Sequence, residues 1–205
     1  TLSSSLIWLA AFAFVEALAV WGYVFVPIQE TYLDEHAIEG LLVLRTMVQV
    51  AAFVFLVQFG LRLMDLPAIA RRSLTGLSVA VALGILGGAA LASSSTGWGA
   101  AEWEDAVNAL ARYSLLFPGA LLSAVGLWRQ RGELGDAGMT GIKPYAAAAA
   151  AVLGVYAVLG GLIVPAGPIT PGGIGDSDGW FDLTGLPLEV MRGIAGLVLC
   201  VLSVK

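Results

Sequence analysis

Residues 38–64 read IEGLLVLRTMVQVAAFVFLVQFGLRLM, a run in which Arg45 and Gln49 break a largely apolar stretch between Glu39 and Arg62. A helix needs about 20 apolar residues to cross the roughly 30 Å hydrocarbon layer of a bilayer, and this stretch has that length. Working outward from it, five more stretches meet or approach the same length: 6–28, 74–93, 106–127, 145–164 and 186–204. The whole chain agrees. Its 205 residues are 59% hydrophobic and only 12% charged, with mean hydropathy +0.88, where a soluble domain carries about 25% charged residues. The expected fold is all-α: a polytopic membrane protein, one transmembrane domain over 1–205, built as a six-helix bundle. The first run is too long for a cleavable signal peptide, with no basic residue before it and no small-residue cleavage site after it. The chain opens on Thr1 rather than Met, so something is expected to have been trimmed or left out at that end.

Lys and Arg are retained on the cytoplasmic side of a membrane. Arg62, Arg71 and Arg72 follow the second run, Arg129, Arg131 and Lys143 separate the fourth from the fifth, and Lys205 ends the sixth. The alternate connections carry only acids: Glu30, Asp34 and Glu35; Glu102, Glu104 and Asp105; Asp176, Asp178 and Asp182. Both termini are therefore expected on the cytoplasmic side, the bundle lying in a cytoplasmic (inner) membrane. Trp98, Trp103 and Trp180 fall at the outer interface and Trp128 at the inner one, as an aromatic belt requires.

The same composition excludes several classes. Ten Lys and Arg against fifteen Asp and Glu give a net charge of -5, which offers no basic surface for nucleic acid. Cys200 is the sole cysteine and His36 the sole histidine, so a disulfide framework, an iron–sulfur cluster and a bis-histidine haem site within one chain are excluded. No nucleophile elbow, Gly-rich phosphate loop or zinc-protease motif is found. No cofactor is expected beyond bound lipid, and nothing argues for an enzyme.

Three basic residues lie inside predicted helices: Arg45, Arg112 and Arg192. At 1.5 Å of rise per residue they fall in one layer, roughly 8–10 Å below the outer end of each helix. An arginine facing lipid costs about 2.5 kcal/mol or more, so these side chains should point inward toward partners. The candidates are Glu16, Glu39 and Glu189, with Gln49 one turn from Arg45 able to donate and accept. The predicted polar layer is thus Glu16, Arg45, Gln49, Arg112, Glu189 and Arg192. It reads either as a self-neutralising set that fixes helix register, or as a pocket in which guanidinium groups meet a small anionic ligand. A proton path through Glu16 is a third reading, but the inner halves of the helices offer it few polar groups.

Small residues let membrane helices approach closely. The third run carries Gly76, Ala80, Gly84, Gly88 and Ala92, and the fifth carries Ala146, Ala150 and Gly154; both faces are expected to be buried against neighbours. Phe117-Pro118-Gly119 should kink the fourth helix, because proline removes a backbone donor. The longest non-helical piece is 165–185. Within it, Asp176, Asp178 and Asp182 alternate around glycines as oxygen ligands do in calcium loops, but the final bidentate Glu is missing; Ca2+ binding and an ordinary solvated acidic turn both remain open. His36, among Asp34, Glu35 and Glu39, could hold a divalent metal or stand as an interfacial histidine.

Four stretches, taken in order, resemble the N-terminal multi-pass membrane module of bacterial sensor histidine kinases and diguanylate cyclases. They are Trp8-Leu-Ala-Ala-Phe12, Phe55-Leu-Val-Gln-Phe-Gly-Leu-Arg-Leu63, Ala111-Arg-Tyr-Ser-Leu-Leu-Phe-Pro-Gly-Ala-Leu-Leu122 and Phe181-Asp-Leu-Thr-Gly-Leu-Pro-Leu-Glu-Val-Met-Arg192. The resemblance implies a sensory bundle, generally dimeric, whose last helix leads into a cytoplasmic signalling segment. Kinase or cyclase activity would then lie beyond Lys205. The chain departs from the pattern at Glu16-Ala17, where a His-Gly pair is common, and at Glu189, where a Gln is usual. The expected function is a two-component-type sensor for signal transduction, with the sixth helix as output. The alternative is an accessory subunit of a larger respiratory or photosynthetic membrane assembly. A transporter comes third, since it would need an inverted repeat or broken helices.

Overall fold

In a computed structural model, which describes residues 2–136, 141, 143–164, 167–170, 180–181, 184–185 and 188–203, the chain is helical, with no strand among the described residues. Asp34 separates the first two helices. Its carboxylate accepts the Ala37 N–H at 2.8 Å and so caps α2 (Glu35–Leu63), satisfying a donor that the first turn leaves open. Before it runs α1 (Leu2–Gln29). Pro67 precedes α3 (Ala68–Thr96), and Gly97 ends that helix at φ 75°, a left-handed position suited to glycine, donating to the Ser93 carbonyl at 2.9 Å. A continuous helix follows in three parts: α4 (Ala100–Ala111), a π-helical turn (Arg112–Leu116) and α5 (Phe117–Asp136). The last two helices are α6 (Lys143–Gly161) and α7 (Leu188–Ser203).

Five of these are long and apolar enough to cross a membrane: α1, α2, α3, the continuous 100–132 helix and α6. For the sixth predicted span, the structure describes 16 residues of α7, and among the described residues Val190–Leu199 is a shorter apolar helix. Large apolar side chains cover the outside, among them Ile7, Phe14, Trp21, Leu83 and Leu91, each well over half exposed. This is the surface expected of a protein solvated by lipid.

The core is the C-terminal half of α2. Phe53, Leu56 and Phe59 are fully enclosed, and α2 packs on α1, α3, α4 and α5. Glycine decides how near α5 comes. A Cβ at Gly119 would stand 2.9 Å from Val57 Cγ2, one at Gly126 2.5 Å from Leu63 Cβ, and one at Gly60 2.9 Å from Leu122 Cβ. The α5–α6 contact is equally tight, with Gly161 against Phe117. Outside this core, α6 carries α7, and α3 touches α4 and the π turn but not α5.

The small-residue expectation is corrected here. On α3 the buried face is Ser78, Ala82 and Ala89, while Gly76, Gly84 and Gly88 have open space around them and Ala80 is exposed. Two side-chain bonds of Gln58, from its Nε2 to Ser78 Oγ at 3.0 Å and from Thr75 Oγ1 to its Oε1 at 2.7 Å, hold α3 to α2 instead. On α6, Ala150 is buried but Ala146 and Gly154 are only half-buried. Charge is separated by end. Arg62, Arg71 and Arg72 lie at the α2–α3 turn, which Arg129 of α5 reaches through Met64; the acidic N-terminal turns of α2 and α4 lie at the other end, and the segment 167–170 approaches Asp105 there.

Candidate functional site

The polar layer begins at the π turn. Pro118 has no N–H to give the Ser114 carbonyl, and the helix widens for one turn, so that the Phe117 N–H donates to the Arg112 carbonyl five residues back. The expected kink takes this form. Arg112 stands at the start of the widened turn, on the face it shares with Glu104 and Asn108, each four residues apart along α4.

Arg45 pairs with Glu104, each side chain 9% exposed, and its guanidinium lies 3.9 Å over the Tyr23 ring. Gly22 makes room for it, since a Cβ there would fall 2.9 Å from Arg45 Cδ. The Tyr23 hydroxyl donates to Gln49 Oε1 at 3.2 Å and accepts from Asn108 Nδ2 at 2.9 Å. Arg112 Nε donates to Asn108 Oδ1, completing a chain of polar contacts from α1 and α2 into α4.

The second half of the layer closes the end of α6. That helix stops at Gly161, so its last carbonyls have no intrahelical donors, and inside a membrane no water replaces them. Arg112 Nη1 donates to the Gly160 carbonyl at 2.8 Å. Arg192 of α7 donates from Nε and Nη2 to the Leu159 carbonyl, at 3.1 and 3.0 Å, and from Nη2 to the Ile163 carbonyl at 2.7 Å. Two cations thus sit at the negative end of the α6 dipole. Glu16 of α1 lies in the electrostatic field of both arginines, and its Oε2 is enclosed and accepts no hydrogen bond among the described residues. Arg45 Nε is likewise enclosed without an acceptor.

Of the predicted layer, Glu16, Arg45, Gln49, Arg112 and Arg192 come together. Glu189 stands in the first turn of α7, but its side chain lies outside the described residues, as do Asp176, Asp178 and Asp182. Glu39, one of the candidate partners of the three arginines, is corrected: it lies 3.6 Å from His36 Nδ1 on the exposed start of α2, and the partner of Arg45 is Glu104. Glu102, Glu104 and Asp105 are also not in a loop but in the first turns of α4. Tyr23, Glu104 and Asn108 were missed; the four-residue spacing of Glu104, Asn108 and Arg112 was the available signal. Among the described residues, no group of three His, Cys, Asp or Glu side chains is placed to hold a metal ion. No protein family, characterised protein or solved structure matches the chain.

Proposed function

We propose that this chain is the membrane-embedded sensory module of a bacterial signal-transduction protein, with α7 as its output element. In this reading α7 completes a sixth span, both termini face the cytoplasm and the acidic end faces outward, as the separation of basic from acidic ends favours. The observation that carries the proposal is Arg192: it belongs to α7, holds the end of α6 and lies in the field of Glu16. A change at Glu16 therefore has a direct physical route to α7. Arg112 Nε and Nη1 and Arg192 Nε and Nη2 are engaged by Asn108 and backbone carbonyls, so an anionic ligand drawing on those atoms would have to displace those bonds. Among the described residues, Glu16 Oε2 is an enclosed acceptor left open, which makes a hydrogen-bond donor on the ligand the simpler fit. Binding that favours one packing of α6 and α7 over another shifts the population between them. Any kinase or cyclase chemistry belongs to the segment coupled to α7.

Replacing Arg192 by Ala in the signalling protein should change its output while leaving membrane insertion and abundance intact. Output indistinguishable from wild type would overturn the proposal.

A second reading, as an accessory subunit of a larger membrane assembly, draws on the outward face of α3. Gly76, Ala80, Gly84 and Gly88 form a smooth strip open to another helix. Stable co-purification with a respiratory or photosynthetic complex, lost on Gly84→Leu, would favour it.

A further inference from the structure

On the opposite side of the bundle from the polar layer's α6–α7 half, α3 leans on α4 and the π turn but leaves α5. The two helices diverge toward the basic end, and the wedge between them is floored by α2 at Val57 and Leu61. It forms an apolar cleft of about 420 Å³, within the roughly 300–1,000 Å³ of ligand pockets. It runs from Ser114 and Pro118 at the π turn to Asp65 and Arg129 at its mouth. Fifteen residues of helix, about 22 Å at 1.5 Å each, separate Ser114 from Arg129; one leaflet with its headgroup layer is about 20–22 Å deep. The cleft is therefore one leaflet long, with charge only where a headgroup would lie.

Those charges are of opposite sign and do not satisfy each other. Asp65 and Arg129 are exposed and make no ion pair among the described residues, where the ion pairs are His36–Glu39 and Arg45–Glu104. Among the described residues, the hydrogen bond that the Arg129 guanidinium makes is to the Met64 sulfur, at 3.9 Å.

We propose that this cleft is a binding site for one phospholipid with a primary-amine headgroup, of the phosphatidylethanolamine type. Its acyl chain fills the wedge between α3 and α5. Its phosphate accepts from Arg129, whose planar fork suits two phosphate oxygens, and its ammonium donates to Asp65. A choline headgroup carries the same phosphate but has no N–H to give Asp65, which makes the two headgroups distinguishable.

The test uses the full-length protein in vesicles of phosphatidylcholine doped with a phospholipid bearing a photoreactive acyl chain, its headgroup ethanolamine, glycerol or choline. Labelled residues are mapped by mass spectrometry. Symmetric vesicles make the result independent of orientation, and the sensor reading is not engaged by it. The ethanolamine probe should label Leu77, Val81, Leu115 and Leu122 several-fold more than the choline probe. Asp65→Asn should abolish that preference, Arg129→Gln should lower labelling by every headgroup, and Val81→Trp should block the cleft while Leu83 and Leu91 on the lipid-facing side of α3 are labelled as before. Helical content measured by circular dichroism identifies any variant that has not folded, and for such a variant Asp65→Glu, which keeps the acceptor, should retain the preference. Cleft residues labelled no more than Leu83 and Leu91 would overturn the site. Equal labelling by ethanolamine and choline probes, or stronger labelling by glycerol, would overturn the headgroup assignment.

Discussion

Glu104 is two residues upstream of the apolar stretch in which α4 was first delimited, and that offset hides the main partner of Arg45. Hydropathy marks where a helix meets hydrocarbon; it does not mark where the helix begins, and the first turns of α4 are polar because they carry the layer. Glu39 was the nearer carboxylate in sequence. Six residues turn a helix by about 600°, which leaves Glu39 some 120° away from Arg45 around α2. The pair that forms is enclosed at both ends, so breaking it leaves a charge with no partner. Glu104→Gln is expected to lower stability by about 3–5 kcal/mol, seen as a fall in Tm in detergent. The double change Arg45→Met with Glu104→Leu should recover most of that loss, because the desolvation of both charges is removed together. Equal Tm values for the single and double variants would show that the ion pair is not what the single change disrupts.

Glycines on two helices separate what composition reveals about an element from what it conceals. The sequence shows that α3 is rich in small residues at four-residue spacing. It does not show which neighbour they meet, because a residue without a side chain permits close approach without choosing a partner. On α5, by contrast, Gly119 and Gly126 meet Val57 and Leu63 of α2 closely enough that a methyl group has no space. Gly126→Ala is expected to destabilise the bundle by about 1–3 kcal/mol through overpacking, whereas Gly84→Ala, with open space around it, should leave Tm unchanged. A larger loss at Gly84 would mean that its face is covered in the assembled protein. The proline of Phe117-Pro118-Gly119 was legible as a disturbance of the helix, but a widened turn and a bend begin from the same missing donor. The sequence does not choose between them; the packing of Gly119 and Gly161 on either side does.

For the molecule as a whole, the separation of charge was legible in the sequence because it depends only on which connections hold arginine. The all-helical bundle was legible because apolar length alone defines it. The joining of the layer was not, since it depends on where α6 stops. The orientation is checked with single cysteines in a Cys200→Ser background: His36→Cys should react with a membrane-impermeant maleimide from outside intact cells, and Arg131→Cys only after permeabilisation. The reverse pattern would invert the topology. The way Arg192 holds α6 also limits how α7 can move. A carbonyl released into hydrocarbon costs several kcal/mol, so α7 cannot drift away from α6 by small degrees; it must keep the bonds of Arg192 to Leu159 and Ile163 or exchange them for another complete set. The joint between the two helices is a latch with discrete positions rather than a spring, and in the proposed sensor reading α7 would pass on steps, not a graded pull.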